Sequence, residues 1–169
     1  RLQRVSHPGT RGRLEINGRA AKDDDASSLS TTTTARAIGN IVILPMLEER
    51  GRFDIIIREE TGCAAYMIGC QRTNECAVFD PLWDIQPYLE MAKKHGSEIR
   101  YVIDSHSHAD HVSGARLLAE ATGGELILPE LADVTYEATR VKHGDLLRLG
   151  GVGLEIIHVP GHRPEQINL

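Results

Sequence analysis

Within the six residues His106-Ser107-His108-Ala109-Asp110-His111 the chain places three imidazoles and one carboxylate. Eight histidines are spread over 169 residues and three of them fall here. A solvated loop gives no reason for such crowding, whereas a bound cation does. Neutral imidazole nitrogen and carboxylate oxygen are donors for zinc or iron, so the spacing points to metal-ion chemistry and to half of a metal site.

Several elements are needed to present these donors. The apolar run Tyr101-Val102-Ile103 directly precedes the cluster and predicts a strand over residues 99–104. In an extended segment side chains alternate, which turns His106 and His108 the same way, with Asp110 following until the backbone enters a helix. Ser113 is placed to cap that helix, which carries Ala115, Leu118 and Ala119 and stops at Gly123-Gly124. The donors therefore sit at the C-terminal end of a strand, where an exposed loop is anchored by buried structure.

Upstream, Ile41-Val42-Ile43-Leu44, Phe53-Asp54-Ile55-Ile56-Ile57, residues 63–69 and Cys76-Ala77-Val78-Phe79 are short apolar runs separated by turn residues. They predict consecutive antiparallel strands. Asp84 as N-cap, Pro87 in the first turn, and Ile85, Tyr88, Leu89 and Ala92 at helical spacing predict an amphipathic helix closed by Lys93-Lys94-His95-Gly96. Downstream, Leu126-Ile127-Leu128 predicts a strand, and residues 146–149 and 152–159 flank Gly150-Gly151 as a hairpin. In that hairpin His158 reads as a strand residue and not a ligand, and His143 as an exposed turn residue. Pro160-Gly161 ends the strand and presents His162 from a turn.

Composition sets the class. Apolar residues make up 41% and aromatics 4% of the chain, which predicts one globular domain with an aliphatic core. A net charge of -5 and a pI near 5.9 argue against a nucleic-acid partner, which calls for a basic face. The longest apolar run, residues 41–47, is broken by Pro45 and falls short of the roughly 20 residues of a membrane span. Cys63, Cys70 and Cys76 are odd in number and lack a C-x-x-C pair, so they read as small buried hydrophobes in a reducing compartment. The expected location is cytoplasmic, with the mitochondrial matrix as the alternative.

Residues 1–38 carry more bases than acids, no sustained apolar period and the tract Ser27-Ser28-Leu29-Ser30-Thr31-Thr32-Thr33-Thr34, as expected of a disordered or foreign leader. The domain is placed at 39–169. The chain starts at Arg1 and not at Met, and we expect a fragment, a processed product or foreign sequence at this end.

The motif His106-x-His108-x-Asp110-His111, followed by Pro160-Gly161-His162 and preceded by the Asp80-Pro81 turn, resembles the metallo-β-lactamase superfamily. The resemblance implies an α/β (α+β) fold, the αβ/βα four-layer sandwich, here its N-terminal half and truncated at the C-terminus. It also implies that His106, His108 and His162 form one metal site, with Asp110 and His111 belonging to a second in dinuclear members and Asp110 taken as the catalytic carboxylate. Residues 60–70, Ser105-His106 and Ser113-Gly114 are most similar to the persulfide dioxygenase branch, with glyoxalase II, a thioester hydrolase, as its neighbour. The dioxygenase branch implies one Fe(II) held by His106, His162 and an aspartate beyond Leu169; the hydrolase implies two Zn(II) ions. Either implies a small thiol-derived substrate, glutathione persulfide or a thioester, with a homodimer as an open option. Arg163 stands where the superfamily commonly has Thr. A non-catalytic remnant is the third reading.

Overall fold

The computed structural model describes residues 36–38, 41–43, 51–58 and 63–169. The leader expected over residues 1–38 lies outside the described residues except for its last three. Those three form β1 (Arg36–Ile38), which pairs antiparallel with β2 (Ile41–Ile43).

The main sheet has six strands in the order β3 (Gly51–Arg58), β4 (Cys63–Cys70), β5 (Glu75–Phe79), β6 (Glu98–Ile103), β7 (Glu125–Pro129) and β8 (Thr139–Val141). The first three run antiparallel and the last three add in parallel to β5. The expectation of antiparallel strands at the start holds for β3, β4 and β5. The run at residues 41–44 is the exception, since β2 pairs with β1 and joins no strand of this sheet.

Parallel strands require crossovers, and the two helices supply them: α1 (Gln86–His95) between β5 and β6, and α2 (Ala115–Thr122) between β6 and β7. Both lie on one face of the sheet. Tyr88 and Ala92 of α1 and Ala115, Leu118 and Ala119 of α2 pack on Ala65, Met67, Val78 and Val102. The other face, carrying Tyr66, Ile68, Phe79, Tyr101 and Ile103, is covered by Leu149, Val152, Leu154, Ile156 and Ile167. Because both faces are buried, β4 and β5 read as nearly continuous apolar runs. In β6 the register to β5 slips, with Cys76 opposite Ile99 and Ala77 opposite Tyr101. Arg100 is the extra residue, and this is why Ile99 and Val102, three apart, both reach the helix face.

The covering layer consists of β9 (Leu146–Leu149) and β10 (Val152–Glu155), paired across Leu149 and Val152, and β11 (Ile157–His158) and β12 (Ile167–Asn168). The strand expected over residues 152–159 breaks at Ile156. There the main chain bonds to the 144–145 turn instead, through Ile156 N to Asp145 O at 2.9 Å and Gly144 N to Ile156 O at 2.8 Å. The chain then pairs with β12, so Ile157 and His158 leave the hairpin. Strands β8 and β12, three and two residues long, carry too few residues to show a period.

Helix starts differ by one residue from expectation. Ile85, not Asp84, is the N-cap of α1, although Asp84 Oδ1 accepts the Gln86 N–H at 3.2 Å. Gly114 caps α2, with Ser113 Oγ taking the Ala115 N–H at 3.0 Å. Gly96 and Gly123 close the helices in the left-handed conformation. Cys70 and Cys76 are buried and free; the Cys63 side chain lies outside the described residues. Among the described residues no helix is long and apolar enough to cross a membrane.

Candidate metal centre

The chain leaves β5 at Phe79 and β6 at Ile103, adjacent parallel strands in register, so the two following loops begin side by side. Asp80 opens the first with φ of 53°, a left-handed conformation that Asp tolerates better than most residues. Its Oδ1 accepts the Ser105 N–H at 2.6 Å, and its own N–H goes to Ile103 O at 2.8 Å. The Asp80-Pro81 turn is thereby tied to the start of the histidine loop.

The loop itself is not extended. Residues 104–112 lie outside any strand, and the histidines meet through bends. The His106 and His108 rings have centroids 4.2 Å apart, and those of His108 and His111 are 4.3 Å apart. His162, delivered by the turn between β11 and β12, stands edge-on to His106 at 5.0 Å. All four expected imidazoles therefore occupy one cluster. Asp110 lies at its exposed rim with Oδ1 3.1 Å from His111 Nδ1. His158, read as a strand residue, is engaged elsewhere: its Nε2 lies 2.7 Å from Pro164 O. His143 is exposed, and its Nδ1 accepts the His158 N–H at 3.3 Å.

The side chains present fit a metal ion. The Nε2 atoms of His108 and His111 are buried with no hydrogen-bond partner among the described residues, a costly arrangement for a lone pair or an N–H. His108 Nε2 is 3.3 Å from Asp80 Oδ1, but without hydrogen-bond geometry. Two sets of donors lie within 4.8 Å of one another: His108, Asp110 and His111, and Asp80, Asp104 and His108. His106 Nδ1 is 2.7 Å from Ser105 Oγ, an engagement that orients the ring and leaves Nε2 for an ion. Burial, with His108 nearby, pushes the His106 pKa down, keeping it in the neutral form that ligates. At His108 burial acts in the same direction but is outweighed by Asp80 and Asp104, and its pKa rises.

Two carboxylates here escaped the sequence reading as site residues, and a third, Asp80, was seen only as a turn. Asp104 is 4% exposed, accepts from Ser113 Oγ at 2.9 Å and lies 3.8 Å from His108 Nε2. Its place two residues before His106, at the end of β6, was the available signal. Glu165, 5% exposed, accepts the Ser107 N–H at 3.1 Å; nothing local in the sequence marks it. A cavity of about 640 Å³ opens beside the cluster, lined by Trp83, His106, His108, His111, Arg116 and Tyr136 among others.

Burial and the neighbouring Asp80 push the Asp104 pKa up to about 7. An unfolded Asp ionises near 4, so the folded metal-free chain holds this proton more tightly. Its stabilising contribution is complete below about pH 4 and is lost as pH rises towards 7. We expect Asp104→Asn, which keeps an acceptor for Ser113, to melt several degrees above the wild-type chain at pH 8 and level with it at pH 4. Equal melting temperatures at both pH values would contradict this.

A mixed sheet carrying helices on one face, with a histidine-rich loop at the strand ends meeting a histidine turn from the opposite layer, defines a metal-binding α/β protein. The profile of the metallo-beta-lactamase superfamily (Lactamase_B) matches residues 58–168, and the chain belongs to that superfamily. A hydroxyacylglutathione hydrolase of Polaromonas sp. is 36% identical over 100 residues, 57% of this chain and 38% of its own length. The mitochondrial persulfide dioxygenase ETHE1 of Homo sapiens is 28% identical over 109 residues, 63% of this chain and 42% of its own. The chain thus spans about two-fifths of the length of the curated relatives it matches. Among solved structures, a metallo-beta-lactamase from Staphylococcus aureus aligns with TM-score 0.66 at 30% identity, covering 70% of this chain and 36% of that one. ETHE1 from Myxococcus xanthus aligns with TM-score 0.64 at 26% identity, covering 69% and 52%.

Proposed function

We infer that the protein is a metalloenzyme acting on a small thiol-derived molecule, and that its reaction is the oxidation of a glutathione persulfide by oxygen. The observation that carries this is the pairing of His106 with His162 at 5.0 Å, edge to face, while His108 Nε2 turns towards Asp80. Two histidines brought together from separate loops, with a third engaged towards a carboxylate, are compatible with a mononuclear site of the facial-triad kind, and the similarity to persulfide dioxygenases supports it. A bound Fe(II) would supply open positions for substrate sulfur and oxygen. His106 and His162 would hold it, and Ser105 would orient His106. The balance is persulfide, oxygen and water giving thiol, sulfite and two protons.

One observation favours a second reading. His108, Asp110 and His111 form a compact donor set of their own, as a dinuclear zinc thioester hydrolase needs, and hydroxyacylglutathione hydrolases are among the similar proteins. The decisive measurement loads the full-length protein separately with Fe(II) and Zn(II) and follows oxygen uptake with glutathione persulfide and cleavage of a glutathione thioester. Oxygen uptake with iron alone is expected. Zinc-supported cleavage without oxygen uptake would replace the reading by the hydrolase, and no turnover with either metal would leave a non-catalytic remnant.

A further inference from the structure

The two segments that carry the clustered histidines are 58 residues apart at their junction and have no covalent reason to stay aligned. Two cross-links join them. One is main chain to main chain, Ile167 N to Ser105 O at 2.9 Å, and any sequence could make it. The other depends on a single side chain. Glu165 Oε1 accepts the N–H of Ser107, the residue between His106 and His108, at 3.1 Å, and also Arg163 Nε at 3.2 Å.

We propose that Glu165 is the positioning residue that fixes the peptide between His106 and His108 against the turn bearing His162, so that the donors stand together before an ion arrives. Three observations separate this role from the alternatives. Glu165 is buried, at 5% exposure, where a carboxylate persists only if its charge is met; Arg163, itself partly exposed, meets it. It belongs to neither compact set of metal donors, and Oε1 already accepts two hydrogen bonds, so it serves as an anchor and not a ligand. Arg163 forms the other half of the device. Partners that orient ligands typically change metal affinity by about 10–100-fold when removed.

The inference rests on the metal-site reading, and two readouts keep the two apart. The first is amide hydrogen exchange at Ser107, by NMR on the metal-free chain; the second is zinc affinity, by competition with a chromophoric chelator. Glu165→Ala is expected to speed Ser107 exchange and to weaken zinc binding about tenfold. Glu165→Gln, which keeps an oxygen at the same place, is expected to restore both nearly to wild type. If Glu165→Ala does not fold, Glu165→Asp, one methylene shorter with the charge retained, is expected to move both readouts in the same direction. Zinc affinity unchanged in Glu165→Ala, or in its Asp substitute, while His106→Ala loses binding, would overturn the positioning role and leave the site. A wild-type chain that binds no zinc would instead overturn the metal-site reading and the positioning role with it, whatever Ser107 does.

Discussion

Replacing His106 with alanine should weaken zinc or Fe(II) binding by more than about a hundredfold, beyond the range for residues that merely orient ligands. Among the described residues His106 touches both neighbours that matter: its ring lies 4.2 Å from that of His108 and 5.0 Å from that of His162. It is also buried, 8% exposed, with Nδ1 2.7 Å from Ser105 Oγ. Removing it takes away a donor and empties the space between the other two. Chelator competition measures the affinity directly, and ion-induced protection against thermal unfolding measures it again by linkage. His95→Ala is the control, because His95 ends α1 at the opposite end of the sheet from the loop. Equal binding by His106→Ala and wild type would place the metal elsewhere.

The second large effect concerns a glycine with no chemistry of its own. A Cβ at Gly114 would lie 2.1 Å from Leu82 O and 2.8 Å from Leu82 C, both main-chain atoms. The approach is close because Leu82 and Ser113 form a β-bridge and Gly114 N bonds to Pro81 O at 2.9 Å. Gly114→Ala must push the 80–82 turn away from the start of α2. Overpacking of this kind costs about 1–3 kcal/mol or more, several degrees in melting temperature for a chain of this size. Because the same turn carries Asp80, whose carboxylate holds the Ser105 N–H, metal affinity should fall with stability. Gly161→Ala, where a Cβ meets nothing within 4 Å, is expected to melt within about 0.5 kcal/mol of wild type. A Gly114→Ala chain as stable as wild type would show that the turn does not press on α2.

The sequence by itself determined the spacing of the candidate donors and the elements that support them. Local patterns suffice for that: a dense His/Asp spacing, alternating or continuous apolar runs for β4 to β7, helical periods for α1 and α2, and glycines that stop both helices. Each is set by neighbours a few residues away, and each survived with shifts of a residue at the caps. Tertiary structure decided the rest, because the deciding partners are remote in the chain. The strand expected to run through His158 breaks at Ile156 because the 144–145 turn takes its main-chain bonds. The histidines of the loop meet through bends held by Asp80 and Ser105, not through strand alternation. Asp104 and Glu165 are buried anchors in the fold, since only the packing of β5, β6 and the β11–β12 turn removes them from water and hands them Ser113, Ser107 and Arg163 as partners.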